Sequence, residues 1–331
     1  MLSPEDHAAL SSWRLGPVLG ATVPATGTVN RTVLVEMRGG AYALRAYRRP
    51  DRARVAWEHA AIAWAGARNV PVCLPVPLPD GGTVWERDGR LFALFPLASG
   101  RQVARGEMGA GEIAAAGRCL ARIHRAFADF PIARARPKNL AVDIPAVLAG
   151  IPRIEAAIRA LPVQTEVERA ALRQLAARRD WLAENVLLAE GLPERLAALP
   201  QAVLHGDYQE TNLFFEGGEV SAVIDWDQSG AAPRAWEVLR ALHLMLGLAS
   251  AACRVFLAAY RDVCPLPSSE VEEAAACYGP RADQNLWVYE AVYLEGNDRA
   301  RQFIERIDFV PFAQHWRELT PHLGSAAAVV H

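Results

Sequence analysis

Lysine is nearly missing from this chain: of its 35 basic residues only Lys138 is a lysine, and the others are arginines. An excess of charge is missing too, because 37 acidic residues leave a formal net charge of −2 at pH 7. Proteins that bind nucleic acid or anionic membranes through their overall charge are strongly basic. The composition therefore gives no reason to expect either kind of partner.

Cysteine is sparse as well, with five residues and no C-x-x-C pair. This argues against a disulfide framework and favours reduced, structural thiols. The sequence lacks an apolar run long enough to span a bilayer, and its start, MLSPEDHAAL, lacks the features of a signal peptide. We therefore expect a cytoplasmic protein. Its 331 residues, 52% of them hydrophobic, suffice for one large domain or two lobes.

The chain changes character near residue 97. Before it, the stretches 32–48 and 83–97 each contain two β-rich runs around a Gly-Gly or Asp-Gly pair, which predicts hairpins. A helix is predicted between them over 51–66. Beyond residue 97 the sequence is mainly helical, apart from two short strands. We predict a β-rich lobe over 1–97 and a larger helical lobe over 98–331.

The stretch LHGDYQETNLFFEGGEVSAVIDWD (204–227) concentrates polar residues at strand ends. With a two-residue Gly-Gly turn at 217–218, Asn212 falls opposite Val223. Asn212 then becomes a diagonal neighbour of Asp225, roughly 7–8 Å away at Cα. An amide oxygen and a carboxylate that converge in this way are suitable ligands for Mg²⁺, which takes few protein ligands together with substrate phosphates.

Asp207 and His205 precede that hairpin in an H-G-D sequence. Asp207 lies on the loop that leads to the same end, where it could accept a proton beside the metal. His205 could be a metal ligand, although a packed loop histidine is the more common case. Single Asp and Asn residues at strand ends are often only turn residues. The combined pattern H-G-D-x4-N-x12-D is more specific than any of its parts.

This pattern, HGDYQETNLFF followed by AVIDWD, resembles the phosphotransferases related to aminoglycoside kinases, choline kinases and type-II homoserine kinases, which share a protein-kinase-like fold. The resemblance implies an α+β, bilobal protein with a small antiparallel sheet lobe and a larger, mainly helical lobe. It implies ATP as the phosphoryl donor, Asp207 as the catalytic base, and Asn212 and Asp225 as Mg²⁺ ligands. It also implies that His205 is structural and that Glu237, in PRAWEVLRAL, braces the catalytic loop.

The first lobe contains the charged pair that such a fold needs. Arg45, in YALRAYR, stands where the family usually has a lysine on the third strand. Glu58 lies on the apolar stripe of the following helix, with Val55 and Ile62, where a carboxylate is costly unless it is paired. We therefore predict an Arg45–Glu58 ion pair that holds the donor phosphates. The planar fork of arginine is not equivalent to the point charge of lysine.

Two loops supply the remaining candidates for nucleotide binding. The sequence has no G-x-G-x-x-G, but ATGTVNRT offers a turn whose backbone N–H groups could cradle phosphates. After the fifth strand, LFPLASG stands where the family has its adenine-binding hinge. The candidates are Gly27, Thr28 and Asn30 in the first loop and Phe95 and Leu97 in the second.

The acceptor is predicted to bind in the helical lobe beside Asp207. Its candidate contacts are acidic and aromatic side chains: Glu210, Trp226, Asp227 and Glu290. If the acids line the pocket, the acceptor is a polyol, sugar or amine rather than an acid. Aminoglycosides, amino sugars, homoserine-like compounds and choline-like compounds all remain open.

Three other functions also stay open. A bacterial Ser/Thr protein kinase of the stress-response type would use the same residues on a protein acceptor. A catalytically inactive, nucleotide-binding regulator would keep the fold without turnover, although the presence of Asp207, Asn212 and Asp225 argues against it. A metal-dependent phosphohydrolase would need further His and Asp clusters beside His205, which the sequence lacks.

Overall fold

The computed structural model describes residues 2–24, 30–48 and 51–323. Within this part of the chain, the first hundred residues form an antiparallel sheet in the order β1-β2-β3-β5-β4. Its strands are β1 (Val18–Thr22), β2 (Arg31–Met37), β3 (Gly40–Ala46), β4 (Trp85–Arg87) and β5 (Arg90–Pro96). Helices α1 (Pro4–Ser12) and α2 (Arg52–Gly66) belong to the same region.

Local sequence signals account for most of this region. Asp51 caps α2 as predicted, because its side chain accepts a hydrogen bond from the Arg54 N–H at 3.1 Å. The β4–β5 turn is the predicted Asp88-Gly89 pair, and both residues have positive φ, as a tight hairpin turn requires. Helix α1 was not predicted, although Ser3 and Asp6 form a capping box around its start.

The rest of the described chain is mainly helical. Its helices are α3 (Ala110–Ala126), α4 (Ile144–Arg159), α5 (Glu166–Glu184), α6 (Leu192–Ala198), α7 (Arg234–Arg240), α8 (Ser250–Arg261), α9 (Ser268–Asp283), α10 (Trp287–Tyr293) and α11 (Phe312–Leu319). This combination of a small antiparallel sheet and a larger helical part confirms the predicted α+β, protein-kinase-like fold class. The largest apolar core lies around α3, α7 and α8, and buries residues such as Leu120, Leu239 and Phe256.

Two short strand pairs interrupt the helices. Strand β6 (Gln201–Leu204) pairs antiparallel with β9 (Gly230–Pro233), a pairing that was not predicted. Strands β7 (Leu213–Glu216) and β8 (Glu219–Val223) form the predicted hairpin, with Glu216 opposite Glu219. Since β6 ends just before His205, and β9 leads directly into α7, the first pair fixes the two ends of the segment that carries the H-G-D sequence.

The register of the β7–β8 hairpin differs from the prediction beyond its turn. A β-bulge at Ser221 places Leu213, not Asn212, opposite Val223. The Ser221 hydroxyl donates to the Ser99 carbonyl at 2.8 Å, and this tertiary contact turns the residue out of the pairing. Asn212 instead lies across from Ile224, whose N–H donates to the Asn212 carbonyl at 3.0 Å. Asp225 therefore remains next to Asn212, but through a different register.

All five cysteines carry free thiols, in agreement with the sequence. Throughout the residues described, no helix combines the length and the apolar character that crossing a membrane demands.

Candidate active site

Hydrogen bonds and close packing hold the loop His205–Asp207 in place. His205 is fully buried; its Nδ1 accepts from the Asp207 N–H at 3.2 Å, and its Nε2–H donates to the Ile224 carbonyl at 2.9 Å. Gly206 has φ +89°, and a Cβ there would collide with the Gln228 carbonyl oxygen. Glycine is therefore required between His205 and Asp207. The buried position of His205 agrees with a structural role.

The carboxylate of Asp207 is fixed through both of its oxygens. Oδ1 accepts from Nη2 of Arg240 at 2.6 Å. Oδ2 accepts from Gln209 at 3.2 Å and from Nδ2 of Asn212 at 3.3 Å. The carboxylate remains half-buried, so it is oriented without being sealed from a substrate. This is the arrangement that a positioned general base needs.

Asn212 and Asp225 offer oxygen ligands on the neighbouring side of Asp207. Nδ2 of Asn212 also donates to the Asp207 carbonyl at 2.8 Å, which leaves the amide Oδ1 as the atom for a cation. Asp225 directly follows the hairpin with φ +65°, a left-handed conformation that is uncommon outside glycine and often found at functional sites. Nowhere in the described ranges do three or more His, Cys, Asp or Glu residues form a metal cluster. One amide and one carboxylate fit Mg²⁺, which relies on phosphate oxygens and water for its other ligands.

Arg45 on β3 connects Asp225 to α2. Its Nη1 donates to Oε1 of Glu58 at 2.9 Å, and its Nη2 donates to Oδ1 of Asp225 at 3.0 Å. The predicted Arg45–Glu58 ion pair is thus confirmed. The planar fork reaches two carboxylates at once, which a single ammonium group does less readily. Burial raises the pKa of Glu58 to about 7, and Arg45 counteracts that rise.

Glu237 braces the catalytic loop from α7. Its carboxylate accepts from the backbone N–H groups of His205, at 3.1 Å, and Gly206. It also contacts Nε2 of His124 at 3.0 Å. Burial opposes ionisation of Glu237, but His124, His205 and the Gly206 N–H together lower its pKa. The predicted bracing role is confirmed by these contacts.

Asp227, two residues after Asp225, lies against α2 and Asn30. Arg54 donates to the Asp227 carbonyl at 3.2 Å and approaches its carboxylate at 3.5 Å, and Asn30 reaches the same carboxylate at 3.5 Å. Trp57 donates to the Ser229 carbonyl at 2.9 Å. Because these contacts connect Asp227 to α2 and to the sheet region, we do not assign it to the acceptor site. Gly27 and Thr28, the other predicted phosphate-loop residues, lie outside the described residues.

Sheet pairing already uses part of the backbone hydrogen-bonding capacity of the predicted hinge residues. The Leu97 N–H donates to the Ala41 carbonyl at 3.0 Å, so this donor is already used. Phe95 is paired with Ala43 in the β3–β5 ladder. The centre of the Phe95 ring lies 5.7 Å from the Arg45 guanidinium.

The four predicted acceptor contacts fall in different places. Glu210 is near the catalytic loop; its Oε2 is buried and has no hydrogen-bond partner among the described residues. Burial raises the pKa of Glu210, and the charge of Asp207 adds to this rise. Trp226 is 1% exposed and packs on His205 in the core, so its side chain is unavailable to an acceptor. Glu290 lines an open cleft of about 490 Å³ with Arg153, and we leave it out of the acceptor site too.

Sequence reasoning missed Arg240 and Lys138. Arg240 was one arginine among many, so composition gave no signal for it. Lys138 could have been found, because it is the only lysine. Its Nζ donates to the Gln228 carbonyl at 2.6 Å and lies 3.5 Å from the Gly206 carbonyl. It therefore ties the H-G-D loop to the segment beyond Asp225.

The fold and the site together define a phosphotransferase of the protein-kinase-like class. A model of the phosphotransferase enzyme family matches residues 20–269, which is most of the chain. The chain belongs to the phosphotransferase enzyme family.

Similar proteins agree with this assignment. A homoserine kinase from a Chelativorans species is 30% identical over 277 residues, covering 81% of this chain and 79% of that protein. A homoserine kinase from Bradyrhizobium diazoefficiens is 29% identical over 272 residues, covering 80% of this chain and 76% of that one.

Solved structures share the fold at lower identity. An aminoglycoside phosphotransferase from Alicyclobacillus acidocaldarius aligns over 98% of this chain and 95% of its own, with a TM-score of 0.67 and 16% identity. A spectinomycin phosphotransferase in complex with ADP and spectinomycin aligns over 92% of this chain and 90% of its own, with a TM-score of 0.60 and 12% identity. Taken with the family, the chain is a small-molecule phosphotransferase, an ATP-dependent kinase that acts on a hydroxyl group.

Proposed function

We propose that this protein transfers the γ-phosphoryl group of Mg·ATP to a hydroxyl of a small molecule, with Asp207 as the base. The proposal is supported by the position of Asn212 and Asp225 at the open end of the β7–β8 hairpin, where Asn212 also hydrogen-bonds to Asp207. Arg45 connects this group to Glu58 on α2. Charge-neutralising and proton-accepting groups therefore lie side by side, as phosphoryl transfer requires.

On the acceptor side, Asp207 takes the proton of the attacking hydroxyl. Hydrogen bonds from Arg240, Gln209 and Asn212 hold its carboxylate in one orientation, so little reorganisation is needed when the hydroxyl arrives. Glu237 and Lys138 keep the supporting loop in place through its backbone.

On the donor side, Arg45 contacts the α- and β-phosphates while it remains paired with Glu58. The amide oxygen of Asn212 and the carboxylate of Asp225 would hold Mg²⁺. When bound, the cation would supply positive charge that offsets the negative charge of the phosphates during transfer. Asn30 and the backbone around Phe95 are the further residues that we assign to the nucleotide side, with Gly27, Thr28 and Leu97 as weaker candidates.

The acceptor is a small hydroxyl compound, and L-homoserine is the first to test, because relatives at 29–30% identity are homoserine kinases. Aminoglycosides come next, since the proteins that share the fold include their phosphotransferases. We propose a cytoplasmic location, which the free thiols support.

The test is an acceptor screen with Mg·ATP that measures ADP release, run on the wild type and on Asp225→Ala. We expect Asp225→Ala to abolish turnover and to weaken Mg²⁺-dependent nucleotide binding, because one of two protein ligands is lost. Asp262→Ala, at an exposed position after α8, controls for loss of an acidic side chain. Unchanged Mg²⁺ dependence of nucleotide binding in Asp225→Ala would contradict the metal assignment.

A further inference from the structure

The acceptor side of Asp207 carries an arginine with an unused donor. Arg240, the last residue of α7, places Nη2 2.6 Å from Oδ1 of Asp207. Its other terminal nitrogen, Nη1, is buried and has no hydrogen-bond partner among the described residues. A buried guanidinium N–H without an acceptor is costly, so this atom marks a position where an acceptor atom is missing.

Two further arginines lie near α7. Arg281, on α9, which packs against α7, is half-buried and makes no hydrogen bond or ion pair within the described parts of the chain. Burial lowers the pKa of Arg281, and the nearby charge of Arg240 lowers it further. Arg105 lies beside the turn that follows α7, with Nη2 close to Gly247. Its ion pair with Glu305 is loose, at 3.8 Å.

The acidic side chains nearby do not neutralise these arginines. Asp283 is engaged by the Phe312 N–H at 2.9 Å and by Trp181 at 3.2 Å. Glu210 is buried, and burial raises its pKa. Asp207 is bonded to Arg240, and Arg281 lies near Arg240, so the positive charge locally exceeds the negative charge. An anionic ligand would balance this excess.

We propose that Arg240 determines acceptor specificity by binding an anionic group of the acceptor, a carboxylate or a phosphate, through Nη1 while Nη2 holds the base Asp207. This rests on the proposed function, since it takes Asp207 as the base. One planar guanidinium then fixes both the base and the acceptor anion, so it also sets the distance between the hydroxyl and that anion. The acceptor is thus a compact hydroxy acid or hydroxyalkyl phosphate. Acidic residues in the sequence pointed to a polyol, sugar or amine, and the arginines reverse that expectation.

The experiment uses acceptors matched except for their negative charge. L-homoserine is compared with 3-amino-1-propanol, glycerate with glycerol, and glycerol 3-phosphate with glycerol, each with Mg·ATP and ADP release as the readout. We expect kcat/KM at least about 10-fold higher for the member that carries the carboxylate or phosphate in at least one pair, a modest discrimination for one charged hydrogen bond. The preferred anion, carboxylate or phosphate, identifies the acceptor class.

The Arg240 variants separate specificity from structure. Arg240→Gln should remove the preference by raising KM for the acceptor with the anionic group far more than for its counterpart without that group. Arg240→Lys should restore part of the preference, because it returns the charge without the fork. Mg·ADP affinity, measured by calorimetry, should stay within about threefold in both. Arg254→Gln, at an exposed position on α8, controls for loss of a positive charge.

Equal kcat/KM for the two members of every pair, or an equal loss for both members in Arg240→Gln, would overturn the inference. So would phosphorylation of neutral or cationic acceptors alone. If no charged compound releases ADP, and none binds the Mg·ADP form by calorimetry, the inference is also wrong. Failure of the wild type to bind Mg·ADP at all would instead overturn the proposed function.

Discussion

At the scale of single residues, the two oxygens of Asp207 have different neighbours. Oδ1 meets a cation, Arg240, whereas Oδ2 meets two neutral amides, Gln209 and Asn212. A proton that leaves a hydroxyl is better accepted on the side where positive charge is weaker. We therefore expect the hydroxyl to approach Oδ2, which is also the side of Asn212, the proposed metal ligand.

Replacing Asp207 by Asn tests the role of this carboxylate as a base. The amide is nearly isosteric but cannot accept the proton, so kcat should fall by roughly 10²–10⁴-fold, or about 3–5 kcal/mol in the barrier. The ATP dissociation constant should stay within a few-fold, with Asp262→Asn as the matched control. Loss of nucleotide binding in the same purified variant would mean that Asp207 is a metal or structural residue, and an unchanged kcat would mean that it is not the base.

The Arg45–Glu58 pair can be tested by a double-mutant cycle. Arg45→Ala should weaken ATP binding and lower stability together, because it leaves Glu58 buried without its partner at 2.9 Å. Combined with Glu58→Gln, the effects on the free energy of unfolding should be non-additive. The exposed pair of Arg118 and Glu219 serves as the control cycle, where coupling should be about 0–1 kcal/mol. If the losses in the free energy of unfolding at positions 45 and 58 are additive, the Arg45–Glu58 contact contributes nothing to stability.

The sequence could single out Asp207, Asn212 and Asp225 as candidate site residues because their spacing is a local pattern. It could identify Glu58 because a carboxylate on an apolar helical stripe needs a partner. It could not identify Arg240, since a chain that uses arginine for almost all its positive charge hides one functional arginine among the others. Its importance appears only when α7 brings it within 2.6 Å of Asp207.

At the scale of elements, α7 is the part that organises the loop of Asp207. Glu237 near its middle binds the loop backbone, and Arg240 at its end binds the Asp207 side chain. The β6–β9 pair places the loop and the start of α7 side by side. A displacement of α7 would therefore move Asp207 directly.

Glu237→Gln tests this coupling. The variant loses charge-assisted hydrogen bonds to backbone N–H groups, so the free energy of unfolding should fall by about 1.5–3 kcal/mol. The kcat should fall as well, because the loop is less well held. Glu270→Gln is the control: it breaks a buried ion pair of α7 with α9, through Arg234 at 2.7 Å, away from the loop. It should lower stability but leave kcat unchanged, and equal kcat values in the two variants would contradict the bracing role.

Element prediction from the sequence succeeded where the signals are local and failed where they are tertiary. The cap at Asp51 and the Gly217-Gly218 turn are encoded within a few residues. Strands β6 and β9 have four residues each, and GAAP in β9 has little intrinsic β propensity, so only their pairing across the chain makes them strands. The bulge at Ser221 depends on a hydrogen bond to Ser99, far away in sequence.

At the scale of the whole molecule, the sheet region and the helical region each contain a histidine whose protonation opposes folding. These are His59, which is buried, and His243, which is half-buried. His59 on α2 contacts Tyr47 and Thr83, and His243 just beyond α7 contacts Tyr278. Burial lowers the pKa of each to about 4. Unfolded histidines have a pKa of about 6.5, so the unfolded chain binds more protons below that value. Stability that is present above pH 6.5 should therefore be lost as the pH falls toward 4.

Urea unfolding of the wild type, His59→Gln and His243→Gln between pH 7.5 and 4 measures this loss. The stability advantage of the wild type over each variant should shrink by roughly 2–3 kcal/mol as the pH falls to 4. His7→Gln, at an exposed position on α1, controls for the loss of an imidazole. A constant difference over that range would mean that the two histidines do not resist protonation in the folded protein.

The single lysine offers a spectroscopic handle on the active site. Reductive methylation with ¹³C-formaldehyde modifies amines and preserves their charge, so in this chain it would label Lys138 and the amino terminus. The Lys138 amine is half-buried and contacts one backbone carbonyl in the H-G-D loop, at Gly206, and one beyond Asp225, at Gln228. Its methyl resonance would follow nucleotide or acceptor binding by NMR in a protein of 36.0 kDa without assignment of the backbone.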